Sequence, residues 1–137
     1  MNRYEKISFH LTSFILFISG IVYLVYKYFL KIDTDFGVRP HPNTSFLLHL
    51  HIILVPFLTF IFGYFFHLHV LPKIKSSIKH RKISGYSVLL TMIIMIFSGY
   101  LIQLGFTKKT TEIISLIHIV ISIFWFLMYL RHFRLVF

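Results

Sequence analysis

Four long apolar runs decide what this chain can fold into. They occupy residues 7–30, 46–71, 86–106 and 113–135. Each is long enough to cross a bilayer as an α-helix, which takes about 20 residues at about 1.5 Å of rise apiece. In lipid a lone segment must satisfy its own backbone hydrogen bonds, and only a helix does so without a closed sheet. The expectation is an all-α integral membrane protein, a four-helix bundle in which residues 1–137 form a single four-span domain. The breaks are compact. Residues 31–45 hold Asp33, Asp35, Gly37, Pro40 and Pro42, residues 72–85 read PKIKSSIKHRKISG, and residues 107–112 read TKKTTE. None is long enough to fold alone, so any chemistry belongs inside the bundle or on a partner.

Charge patterning agrees with this. Of 137 residues, 57% are hydrophobic and only 13% charged, against about a quarter charged in a soluble domain. A formal net charge of +10 would suggest nucleic acid in a soluble protein. Here the basic residues lie between apolar runs and read as topology signals and lipid-headgroup contacts, so membrane lipid and not nucleic acid is the expected partner. One side of the membrane collects Arg3, Lys6, Lys73, Lys75, Lys79, Arg81, Lys82, Arg131 and Arg134; the other collects Lys27, Lys31, Arg39, Lys108 and Lys109. That imbalance predicts both termini and the 72–85 loop on the cytoplasmic side, with spans 2 and 4 running in the same direction. The first run is too long for a signal-peptide core and no small-x-small site follows it, so it reads as a retained span. The absence of Cys removes Cys-ligated iron–sulfur clusters, haem attached through a Cys pair, and disulfides.

The nine histidines are the residues that point to chemistry, because ionisable side chains inside a span are costly. Span 3 has none. Span 2 carries His49 and His51 near its outer end and His67 and His69 near its inner end; span 4 carries His118 outside and His132 inside; span 1 carries His10 near its inner end; His41 and His80 lie in loops. Taken singly, a histidine at a helix end is as readily an interfacial residue. On a regular α-helix His51 and His69, eighteen apart, share one face, and His49 and His67 share another, while His118 and His132, fourteen apart, fall within about 40° of each other. Depth favours His51 with His118 outside and His69 with His132 inside, and leaves His49 and His67 as alternative haem ligands, since span ends shift by a few residues. The span 2 pair would be about 27 Å apart along its axis and the span 4 pair about 21 Å, a mismatch that His10 would relieve by replacing His69 as the partner of His132. Facing imidazoles are what a bis-His haem requires, and bundle interiors are common cofactor sites. A di-iron reading of the doubled His-Leu-His is weaker: residues two apart point about 200° away from each other, and Glu5, Asp33, Asp35 and Glu112 all lie outside the apolar runs.

Small residues repeat at Ser19-Gly20 in span 1 and Ser98-Gly99-Tyr100 in span 3, where helices or a flat cofactor can approach the backbone closely. Arg39 and Arg131 are candidates for a haem propionate and Gln103 for a quinone or haem edge, with headgroup contact or helix packing the competing readings. Trp125 and the many Phe read as packing or lipid-facing.

His10 with Ser19-Gly20, a His near the start of span 2, and the fourteen-residue spacing of His118 and His132 together resemble the four-helix membrane cytochrome b family, which includes the cytochrome subunits of formate dehydrogenase and nickel–iron hydrogenase. The resemblance covers most of the chain as a pattern of helices and His, without a long motif; the doubled His-Leu-His departs from it. It implies two haem b groups held by such histidines, a quinone site near one of them, and electron relay to other redox subunits of a membrane complex in a bacterial inner membrane, with no complete enzyme in the chain alone. The competing expectations are a haem-free anchor or assembly subunit of a respiratory complex, or a small transporter that uses His. The basic 72–85 loop is the expected cytoplasmic docking surface for the redox partner, with anionic lipid an equal reading, and the outer loop with Asp33, Asp35, Arg39 and His41 is the candidate on the other side.

Overall fold

The computed structural model describes residues 3–75 and 82–136. Its order is α1 (Arg3–Tyr28), β1 (Lys31–Thr34), β2 (Gly37–Pro40), α2 (Asn43–Phe65), a π-helical turn (Phe66–Val70), α3 (Leu71–Lys75), α4 (Lys82–Gln103) and α5 (Lys108–Val136). Four helical stretches are long and apolar enough to cross a membrane: Arg3–Tyr28, Asn43–Lys75, Ile83–Gln103 and Lys108–Phe133. The chain is an all-α integral membrane protein. It divides into two compact units, one ending at His69 and the other beginning at Val70. In the first, α1 packs on α2; in the second, α4 packs on α5.

Local chemistry sets the helix boundaries. At the start of α2, the Asn43 backbone N–H donates to His41 Nδ1 at 3.1 Å and the Thr44 N–H to the His41 carbonyl at 2.9 Å, which meets two of the donors a helix start leaves over. α4 stops before Gly105, whose φ of +70° is a left-handed conformation that glycine adopts without a Cβ clash. Thr107 then opens α5: its Oγ1 accepts from the Thr110 N–H at 3.4 Å, as an N-cap does. Residues 108–112, expected as part of the break between the third and fourth runs, are therefore the first turns of α5.

Two further segments differ from the sequence reading. The break at 31–45 contains an antiparallel hairpin, with Lys31 opposite Pro40 and Thr34 opposite Gly37. It turns through Asp35 and Phe36 into Gly37 at φ +100°, and Thr34 Oγ1 donates to the Gly37 carbonyl at 2.7 Å. The second difference is the π-helical turn. A π turn widens the ladder to i→i+5 and takes up an extra residue, so positions beyond it lag by about 100° relative to a regular helix. The shared face expected for His51 and His69 assumed regular helix throughout; with the wide turn at Phe66–Val70 that assumption does not hold.

Each unit has a narrow interior. Leu16, Leu58 and Phe65 are buried in the first, Met92, Trp125 and Tyr129 in the second. Large apolar side chains elsewhere stay outside, Phe60 at 78% exposure and Phe97 at 66%. In water such a surface would be untenable; against acyl chains it is the expected exterior.

Candidate functional site

The packed seam of the second unit repeats every seven residues. On α5 it runs His118, Trp125, His132, and on α4 it runs Ser84, Thr91, Ser98. Seven residues is about two helical turns, so each set lies along one stripe. Antiparallel packing matches the stripes end to end. Ser98 Oγ lies 2.9 Å from His118 Nδ1, and Ser84 Oγ lies 3.0 Å from His132 Nδ1. Midway along each stripe stand Thr91 and Trp125, both buried. Trp125 stacks on Tyr129 with centroids 5.3 Å apart and planes 10° from parallel.

Each serine is followed by a glycine, and the glycine is where the imidazole lies. A Cβ built on Gly99 would stand 3.2 Å from His118 Cε1, and one on Gly85 would stand 3.5 Å from His132 Cε1. The first is tighter than ordinary van der Waals contact. The serine fixes one nitrogen of the ring and the missing side chain gives the ring its space.

The first unit contains the same arrangement once. Ser19 Oγ lies 2.9 Å from His51 Nδ1, and a Cβ on Gly20 would stand 3.1 Å from His51 Cε1. The correspondence extends along the helices. Set Ser19 on Ser98, and Ser8, Leu11, Thr12, Ile15 and Gly20 of α1 fall on identical residues Ser87, Leu90, Thr91, Ile94 and Gly99 of α4. These positions lie on one face of a helix. Their hydrogen bonds repeat too. Thr12 and Thr91 each donate to the carbonyl four residues back at 2.7 Å, and Ser19 and Ser98 each donate to the carbonyl three back, at 2.8 and 3.0 Å. Set His51 on His118, and Thr44, Ile52 and Phe57 of α2 fall on Thr111, Ile119 and Phe124 of α5. The echo in the sequence is thus an internal repeat of a helical hairpin, with the serine–glycine seat for histidine as its most specific part.

The repeat breaks at the end of the hairpin that corresponds to His132. The counterpart of His132 is Phe65, and the counterparts of Ser84-Gly85 are Glu5-Lys6. Phe65 is buried and its ring packs on Phe9 with centroids 5.1 Å apart. Beside it, Tyr64 Oη donates to Glu5 Oε1 at 3.3 Å. The π turn begins at the next residue, Phe66.

The other candidate side chains stand as follows. His49 and His67 are exposed, while His10 and His69 are half-buried, the latter inside the π turn. His41 caps α2 and meets the Tyr26 ring edge-on at 4.9 Å. His80 lies outside the described residues. Gln103 Nε2 donates to the Gly99 carbonyl of its own helix at 3.4 Å. Arg39 stands 5.6 Å over the Phe36 ring, and Arg131 is exposed. Among the described residues no three His or acidic side chains gather where one ion could reach them all. The seat at Ser84-Gly85 was missed by the sequence reading, which placed it in the basic loop. Its signal was there: Ser84 and Ser98 are separated by the same fourteen positions as His132 and His118.

No protein-family model, curated protein or solved structure matches this chain.

Proposed function

We propose that this protein is a dihaem b-type cytochrome subunit that relays electrons across a membrane between quinone and a redox partner. One observation carries the reading: three histidines, His51, His118 and His132, are each seated on a Ser-Gly dipeptide with Nδ1 engaged by the serine. A ring held through Nδ1 coordinates metal through Nε2, and a partner on the other nitrogen is the usual support of a metal-bound histidine. The donor set is imidazole without thiolate or carboxylate, which suits b-type haem iron. The three seated histidines are proposed axial ligands, with the fourth drawn from His69 or His10. Haem supplies the one-electron chemistry when bound. The chain's own contribution is to orient the rings and to surround them with an apolar interior.

The partner reading follows from what the described residues offer. Outside the helices they form one small hairpin, which gives no fold for a soluble substrate, so electrons enter or leave through another subunit. The basic segment after residue 72 is the proposed cytoplasmic docking surface, although residues 76–81 of it lie outside the described residues. The proposed setting is a bacterial inner membrane with both termini cytoplasmic, from the Lys/Arg imbalance.

The test is the visible spectrum of the purified protein with haem quantified per chain. Two haems and a b-type absorbance on reduction are expected. A colourless preparation from haem-replete cells would leave the anchor and transporter readings in its place.

A further inference from the structure

The seats carry information about where a proton sits. A serine hydroxyl has one hydrogen. Ser19 gives it to the Leu16 carbonyl at 2.8 Å, and Ser98 gives it to the Met95 carbonyl at 3.0 Å. Each Oγ is also 2.9 Å from an imidazole Nδ1. With its hydrogen committed to the backbone, the oxygen meets the ring only as an acceptor, so the hydrogen between them belongs to Nδ1. A chain of two hydrogen bonds results, from ring N–H to hydroxyl to carbonyl. Such chains polarise each other.

We propose that Ser19 and Ser98 are positioning residues that lock His51 and His118 as the Nδ1–H tautomer, and that through this lock they set the affinity and redox potential of the iron those rings hold. The first half concerns the protein alone; the second rests on the cytochrome reading. The adjoining glycines complete the lock. A Cβ at Gly20 or Gly99 would stand 3.1 or 3.2 Å from the ring, so the ring would have to give by a few tenths of an ångström and the reach to Oγ would change. The polarised ring donates more strongly through Nε2. A stronger donor favours ferric over ferrous iron, so loss of the serine raises the midpoint potential.

The test uses the full chain in detergent, loaded and unloaded, with Ser19→Ala, Ser98→Ala and the hydroxyl-retaining Ser19→Thr and Ser98→Thr. In the haem-free protein, nitrogen NMR of labelled histidine should show the Nδ1–H form at His51 and His118, a shift toward the other tautomer in each alanine variant, and its return in each threonine variant. In the loaded protein, removing a partner of this kind costs about 10- to 100-fold in metal affinity. A change of about tenfold in the ferric-to-ferrous preference appears as about 59 mV for one electron, upward in the alanine variants and restored by threonine. Thr59→Ala, which removes a hydroxyl that donates to the Val55 carbonyl of its own helix at 2.9 Å, should move neither readout. Failure to bind haem at all would end the cytochrome reading but leave the tautomer result standing. Haem binding with unchanged tautomers and potentials in the alanine variants would overturn this proposal and leave the cytochrome reading intact.

Discussion

The hairpins α1–α2 and α4–α5 are built on one plan and finished differently. Both carry a threonine bonded back to a serine one turn earlier, and both seat a histidine, His51 or His118, on Ser-Gly. At the other end α4–α5 repeats the seat with Ser84-Gly85 and His132, whereas α1–α2 places Phe65 against Phe9 and ties Tyr64 to Glu5. The packing of a transmembrane hairpin and the presentation of an imidazole are therefore separable. In α1–α2 the place that His132 takes in α5 is filled by an aromatic ring, Phe65, which packs on Phe9.

The largest effect expected from this comparison is in α5. His118→Ala and His132→Ala together should abolish haem, below about a tenth of the wild-type content, and each alone should remove about one haem per chain. Retention of full haem in the double variant would break the assignment of ligands. Next in size is the equivalence of these two seats: His51→Ala should match His118→Ala, whereas Phe65→Ala should keep haem and lower thermal stability by about 3 kcal/mol, the usual cost of emptying a packed Phe site. A smaller contrast separates the glycines. Gly20→Ala and Gly99→Ala press on a ring and should cost about 1–3 kcal/mol. Gly85→Ala meets its ring at 3.5 Å and should be neutral or gain up to about 1 kcal/mol from helix propensity. Thermal retention of the haem absorbance ranks all three. Least of all, His49→Ala and His67→Ala, both exposed, should leave haem content within error of wild type. A loss at either would move the ligand set of α2 by one face.

Much of this was legible in the sequence because the membrane imposes so few solutions. Apolar runs gave the four helices. The Ser-Gly echo at positions 19 and 98 was visible, but its use was not, since spacing cannot tell a seat for an imidazole from a site of helix contact. Ser84-Gly85 was hidden by its neighbours. The stretch His80 to Ile83 reads as basic loop, yet Lys82 opens α4, because a helix may begin in charged residues at the membrane surface. The hairpin at 31–40 has no hydrophobic alternation to announce it; every strand residue is exposed. The π turn has no residue signature at all. It follows Phe65, where the repeat abandons its pattern, and it defeats angular bookkeeping across residues 66–70.

If the chain is the cytochrome proposed above, the fourteen-residue interval between His118 and His132 also has an electrical meaning. At about 1.5 Å per residue it is about 21 Å of helix, some two thirds of a hydrocarbon core about 30 Å thick. A full elementary charge crossing a membrane exchanges about 2.3 kcal/mol with each 100 mV of potential; over this interval the exchange is about 1.5 kcal/mol. An electron passed between the two seats would therefore work with or against the transmembrane voltage, and its distribution between them would respond to how strongly the cell is energised.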